Sequence, residues 1–397
     1  MKKFIISILL VLCFFSLSAG SGTDSSSQID TNGENMEEKL LDYKAYDLDL
    51  YVKPFWQGSI VYNESVMFVG KSDRAPLMYK ATKIESVTSS DLKKTYVYGE
   101  DYLYDEKSNS IYLTGKTTIP YFEEDDYYPS VYITGRTFAC NRKDKDFLYF
   151  TETPEIIGKQ LCVTYRHDGK NMLSAPEKAN KAFSKTLAKL KAGEKTKILF
   201  YGDSITAGCN SSSTLNCEPY AETWPMMVYK SLVKVYDNTV SEYVNSATGG
   251  WSTTNGLENL QQRVIDHAPD LLFVAFGMND YTLNAGQHIA LIREMVKRVR
   301  EALPDTEICL ITPMFPNPEA MGAYAQQPYF EEEYESLMET YRTEGEESVA
   351  LAKVTFAHRE ILERKRYYDM TGNNVNHVND FLARVYAQTI LATIGVL

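Results

Sequence analysis

From about residue 196 to the C-terminus, short apolar runs alternate with stretches of helical period. The runs Ile198–Tyr201, Tyr243–Ala247, Leu271–Phe276, Ile308–Ile311 and Val349–Val354 are strand-length and rich in β-branched and aromatic residues. Between and after them, 221–236, 257–267, 287–302, 330–343 and 379–393 carry apolar positions at helical spacing. Strand and helix in strict alternation predict a parallel sheet with helices on both faces, an α/β domain over 196–397.

The first half has a different rhythm. From about 42 to 170, short alternating runs such as Ser59–Tyr62, Ser65–Val69, Ile111–Leu113 and Phe147–Phe150 are punctuated by Gly58, Gly70, Gly99, Gly115 and Gly135. That spacing predicts an all-β sandwich domain, rich in tyrosine. The tyrosines serve either as half-buried strand residues or as a sugar-stacking face. Residues 171–195 are expected to be a linker with one helix, starting near Pro176 and carrying Lys178, Lys181, Lys185 and Lys189 on its wet face.

At the N-terminus, Lys2 and Lys3 precede an apolar run from Phe4 to Leu17, followed by Ser18, Ala19 and Gly20. This is the order of a secretory signal, and the run is short of the roughly 20 residues a membrane span needs. Residues 1–20 are therefore expected to be a signal peptide and 21–41 a flexible leader. The mature protein is expected to be secreted or periplasmic, with no membrane insertion. Export makes disulfides possible, Cys140 with Cys162 and Cys209 with Cys217, while Cys309 sits in a strand as a buried thiol. No cysteine or histidine spacing suggests a metal site, and no cofactor is implied.

Charge narrows the partners. Lys plus Arg number 41 against 53 Asp plus Glu, a net charge of −12. Such a chain repels phosphate backbones, so nucleic acid is not an expected partner, and a neutral, sugar-like substrate suits it better. Nothing in the sequence sets an oligomeric state.

In open parallel sheets, ligands sit beyond the carboxyl ends of the strands. The loops there read Tyr201-Gly202-Asp203-Ser204-Ile205-Thr206-Ala207-Gly208, Asn245-Ser246-Ala247-Thr248-Gly249-Gly250 and Gly277-Met278-Asn279-Asp280, and Asn376-His377-Val378-Asn379-Asp380 precedes the last helix. A serine hydroxyl needs a base to become a nucleophile, and acyl transfer needs donors aimed at the oxyanion. Ser204, His377, Gly250 and Asn279 suit those roles, although Ser204 taken alone could equally be a helix cap. Gly250 competes with Gly249, and the spacing from Asn245 favours Gly250.

These four blocks, in this order, resemble the GDSL or SGNH hydrolases over about Thr196 to Leu397. The resemblance implies a flavodoxin-like parallel sheet. It makes Ser204 the nucleophile and His377 the base, with Ser204, Gly250 and Asn279 forming the oxyanion hole. It implies no metal and no organic cofactor. One departure stands out: the family's Asp-x-x-His reads Asn374-Val375-Asn376-His377 here, and the usual following Pro is Val378. Asn374 cannot supply a negative charge, so a Ser–His dyad, or an acid from elsewhere such as Asp369 or Asp380, is expected to orient His377.

A sandwich ahead of such a domain resembles the architecture of some carbohydrate esterases. It implies a secreted serine esterase removing acetyl groups from a small-molecule or polysaccharide substrate. A lipase or thioesterase of the same fold and a non-catalytic carbohydrate-binding protein are the other readings. Trp251 and Trp224 either shape the acyl pocket or pack helix against sheet.

Overall fold

The computed structural model describes residues 38–41, 44–323 and 325–397. The expected signal peptide and most of the expected leader lie outside the described residues. In the first half the strands are β1 (Ile60–Val66), β2 (Arg74–Pro76), β3 (Ala81–Ser89), β4 (Tyr102–Asp105), β5 (Ser110–Leu113), β6 (Thr137–Ala139), β7 (Phe147–Tyr149) and β8 (Leu161–His167). The second half contributes β9 (Lys197–Gly202), β10 (Glu242–Asn245), β11 (Leu271–Ala275), β12 (Glu307–Ile311) and β13 (Val349–Ala352).

The second-half strands form one five-stranded sheet in the order β10-β9-β11-β12-β13. Every pair in it is parallel, with Leu199 opposite both Val244 and Leu272. This is the doubly wound α/β fold the alternation predicts. Both faces are covered, so successive residues of one strand enter different cores. Ile198, Phe200, Leu271, Phe273, Cys309 and Ile311 face a layer holding Trp224, Val228 and Leu391. Leu199, Tyr201, Leu272, Val274, Ile308 and Leu310 face Ile292, Met295, Phe330 and Tyr334.

Helices Trp224–Val235, Ala285–Ala302, Gln327–Glu344 and Asp380–Ile394 supply these layers, close to where their periodicity places them. Two expected helices come out differently. The stretch 257–267 is broken into Thr253–Glu258, Leu260–Arg263 and a single 3-10 turn that ends at Ala268 in a left-handed conformation. The helix expected from Pro176 begins only at Ser184, because Ala179 donates its N–H to Thr393 O and pins the preceding chain to the last helix. Helix Val354–Leu362, which starts at the last residue of the run Val349–Val354, was not expected. Among the described residues no helix is long and apolar enough to cross a membrane.

The first half is β-rich, in three small antiparallel sheets ordered β1-β8-β3, β2-β5-β4 and β6-β7. The expected boundaries at 170 and 195 have no counterpart in the packing, since Leu40–Leu397 form one compact unit. Val66, Phe68, Leu77, Val163 and Tyr165 share a single core with Phe200, Trp224, Leu382 and Leu391. The reason lies in helix Asp380–Ile394, which is buried at every position from Phe381 to Ile394. Only one of its sides can face the parallel sheet, so the first half covers the other.

That cover is polar as well as apolar. Arg384, inside the helix, donates to the carbonyls of Leu50, Tyr51, Tyr62 and Asn63. In β1, a shift of register between Val61 and Glu64, with Asn63 at φ 50°, turns Glu64 inward. Its carboxylate meets Lys365 Nζ at 2.7 Å with both side chains fully buried. Met78 N–H and the Tyr165 hydroxyl complete the carboxylate's shell, as a buried charge requires.

The expected disulfides are absent: Cys140, Cys162, Cys209, Cys217 and Cys309 are all free thiols. Cys140 packs in a small core with Tyr128 and Leu148, whereas Cys162 lies on β8, the central strand of a different sheet. Cys309 is fully buried in β12, and burial pushes its thiol well up.

Candidate active site

The site is built where β9 ends. A Cβ on Gly202 would fall 2.2 Å from Thr206 Oγ1 and 2.3 Å from Ala275 O, so the chain can turn this tightly beside β11 only without a side chain. Asp203 then caps the four-residue helix Ser204–Ala207 by accepting the Ile205 N–H at 2.9 Å. Burial pushes the Asp203 carboxyl up to about 7, against the lowering effect of that amide and of His377. Ser204 is thereby held at the carboxyl edge of the sheet with only 6% of its surface exposed.

His377 arrives from the loop before the last helix. Its Nε2 lies 2.9 Å from Ser204 Oγ. Its Nδ1 faces two acceptors, Asn210 Oδ1 at 2.6 Å and Glu152 Oε2 at 3.2 Å. The orientation of the Asn210 amide is fixed, because Asn210 Nδ2 donates to Gly372 O. With acceptors alone on the Nδ1 side, the ring proton resides there and Nε2 is left to accept from the serine hydroxyl.

Asn373 shapes the histidine loop: its Oδ1 accepts the N–H groups of Val375, Asn376 and His377 at 3.0, 2.9 and 2.9 Å. Its Nδ2 reaches Glu152 Oε1 at 3.1 Å. Burial alone would raise the Glu152 carboxyl, but His377 and Asn373 hold it below the usual range.

None of the three expected orienting residues touches His377. Asn374 accepts the Tyr127 hydroxyl at 2.6 Å and donates to Tyr149 O, tying the loop to β7. Asp369 accepts Met67 N–H and the Arg366 guanidinium. Asp380 takes the Ser212 N–H at 2.8 Å, and burial lifts its carboxyl to about 6. Asn374 and Asp369 are committed to the first-half strands and their neighbours, and Asp380 to the segment after the Ser204 helix. Asn210 and Glu152 take the place instead, and neither belongs to a recognisable motif.

The two remaining loops flank Ser204. A Cβ on Gly249 would lie 3.9 Å from Ser204 Cβ, and Gly250 beside it has a φ of +76°. Asn245 shapes this loop from below, donating to Thr206 O and accepting the Ala247 N–H. Asn279 Nδ2 donates one hydrogen to Trp251 O at 3.0 Å, which joins the third loop to the second.

Asp280 is fully buried and makes a second such link. It accepts Thr253 N–H at 2.8 Å, the Thr253 hydroxyl, and His288 Nδ1 at 2.6 Å. The His288 ring stacks on Phe330, with centroids 4.1 Å apart, and its Nε2 meets the Tyr334 hydroxyl. His288, on helix Ala285–Ala302, is thus the fully buried partner of Asp280. Burial would raise the Asp280 carboxyl, but His288 and Thr253 hold it low.

Of the two tryptophans, Trp224 is core: it is fully buried, donates to Ile205 O at 3.0 Å and stacks on Tyr386. Trp251 is half-buried beside Gly250, with the Arg263 guanidinium over its ring at 5.3 Å. Among the described residues no cluster of three or more histidine, cysteine, aspartate or glutamate side chains could hold a metal ion.

A five-stranded flavodoxin-like sheet with these four loops at its carboxyl edge defines a hydrolase domain of the SGNH type. Residues 200–381 match the model of the GDSL-like Lipase/Acylhydrolase family. An arylesterase of Vibrio mimicus is 32% identical over 108 residues, which make up 25% of this chain and 49% of that protein. The chain thus spans about half the length of that curated relative. Among solved structures, the chain is similar to an acetylxylan esterase from Geobacillus stearothermophilus at 19% identity and a TM-score of 0.40, over 50% of this chain and 94% of that one. A two-domain esterase active on acetylated mannans is 20% identical with a TM-score of 0.42, over 53% of this chain and 54% of that one.

Proposed function

We propose that this chain is a secreted serine esterase that removes short acyl groups, acetyl foremost, from carbohydrate hydroxyls. The observation that carries the reading is the 2.9 Å contact between Ser204 Oγ and a His377 Nε2 left free to accept a proton. In the proposed reaction Ser204 Oγ attacks the ester carbonyl as His377 takes its proton. The oxyanion is received by the N–H of Ser204, the N–H of Gly250 and the second Nδ2 hydrogen of Asn279. The carbon–oxygen bond to the sugar breaks as His377 protonates the leaving oxygen. Water, giving its proton to His377, then attacks the acyl-enzyme, and the acyl–Oγ bond breaks as His377 returns that proton to Ser204 Oγ, releasing the acid.

Three features support the finer reading. Trp251 directly follows Gly250 and is half-buried, and a bulky ring at that place suits a small acyl group. The net charge of −12 suits a neutral rather than an anionic substrate. The Lys2-Lys3 and apolar order at the N-terminus supports export.

The test is hydrolysis of p-nitrophenyl acetate, hexanoate and decanoate by the protein and by Ser204→Ala, followed by acetate release from acetylated polysaccharide. The reading expects acetate to be preferred and activity to vanish with Ser204. Preference for decanoate would make the chain a lipase-like acylhydrolase. Equal inactivity of both folded proteins would leave carbohydrate binding without catalysis.

A further inference from the structure

We infer that Glu152 is the charged positioning residue of His377, so that the β-rich first half supplies the carboxylate which the hydrolase domain's own motif lacks. This rests on the esterase reading above. In that motif the acid position is Asn374, whose amide is spent on Tyr127 and Tyr149. Asn210 Oδ1 sits closer to Nδ1, at 2.6 Å, and orients the ring, yet an amide oxygen carries no net charge to stabilise an imidazolium. Glu152 Oε2, at 3.2 Å, does.

The carboxylate is also held from behind. Its Oε1 accepts from Asn373 Nδ2, and Asn373 Oδ1 in turn accepts the backbone N–H of His377. Carboxylate, loop and ring therefore form one connected network. The contact crosses from the loop after β7 to the loop before the last helix, and Glu152 lies outside the 200–381 family match.

The other charged group that faces His377 is Asp203, from the turn after β9. It is fully buried, and its carboxyl is pushed up to about 7, so over the acid range it is mostly neutral. Glu152, which His377 and Asn373 hold below the usual carboxylate range, keeps its charge where a histidine titrates. Its side chain is 49% exposed, which screens the charge and sets a moderate effect.

The test compares the pH profile of kcat/KM on p-nitrophenyl acetate for the intact protein, Glu152→Gln and Glu152→Asp, with thermal melting of each. Glu152→Gln is expected to lower kcat about ten-fold with KM nearly unchanged, and to move the acid limb to lower pH by about half a unit to one unit, because the imidazolium loses its counter-charge. Glu152→Asp keeps the charge at greater distance and is expected to fall between the two. A Glu152→Gln profile that overlays the parent overturns the inference.

The ring titration of His377, followed by NMR of the protein's five histidines, reads the same pairing without turnover. A lower midpoint in Glu152→Gln supports it and an unchanged one overturns it. If the parent protein shows no Ser204-dependent hydrolysis while that midpoint still moves, the esterase reading fails and the pairing stands.

Discussion

At the scale of single residues, the site depends on one ring being held in one tautomer. Asn210→Ala removes the 2.6 Å acceptor on Nδ1 while leaving Ser204, Gly250 and Asn279 in place. It is expected to lower kcat by about 10- to 100-fold with a small change in KM, read by steady-state kinetics on p-nitrophenyl acetate. A second histidine shows the cost of burial without a partner charge. His358 is fully enclosed, accepts the Phe315 N–H on Nδ1, and is pushed by burial from 6.5 down to about 3. Between those pH values the unfolded chain binds a proton that the folded state refuses, so stability falls as pH falls through that window. At pH 4.5 the loss is about 2–3 kcal/mol. His358→Gln keeps an acceptor for Phe315 without the basic ring, and its Tm is expected to drop less than the parent's between pH 7 and pH 4.5. An equal drop in both proteins would remove His358 from the acid response.

Ser204, Asn279 and His377 stand out in the sequence because each lies in a short block whose spacing can be read locally. Asn210 and Glu152 do not, because they reach His377 across 167 and 225 residues and sit in loops of ordinary composition.

At the scale of elements, the parallel sheet was legible because its strands are buried on both faces and so read as unbroken apolar runs. Its helices were legible where one stripe is apolar, as in Ala285–Ala302, and less so where polar contacts cut a helix short. The histidine loop was legible only as a position. Its shape comes from Asn373 and from Gly372, where an added Cβ would stand 2.5 Å from Asn210 Cβ and 3.0 Å from Asn210 O and Val378 O. Those neighbours are the backbone of the histidine loop and the residue that orients His377, so neither can yield without moving the site. Gly372→Ala is therefore expected to cost about 1–3 kcal/mol of stability and to lower kcat as well. Urea unfolding beside kinetics checks it. A stability loss with kcat unchanged would show that the loop relaxes away from Asn210.

At the scale of the whole molecule, composition and rhythm suggested two domains where packing makes one. The change of rhythm near residue 196 is real, since antiparallel strands give way to a parallel sheet. What the pattern could not show is that helix Asp380–Ile394 is buried on every side and needs both halves to cover it. The buried Glu64–Lys365 pair spans the same boundary, from β1 to the segment before the histidine loop. Lys365→Ala would leave Glu64 charged and enclosed without a counter-ion, at a cost of about 3–5 kcal/mol, whereas Lys365→Met together with Glu64→Gln removes both charges and is expected to cost far less. Because the pair belongs to one shared core, the loss should lower the stability of the entire unit rather than loosen its first half alone. Trp56 reports on the first half, and Trp224 and Trp251 report on the second. In urea, single-tryptophan variants of the Lys365→Ala protein are expected to show coincident transitions at a reduced midpoint. A Trp56 transition that precedes the others would mean that the β-rich half unfolds independently, and that Glu152 can leave His377 while the parallel sheet stays intact.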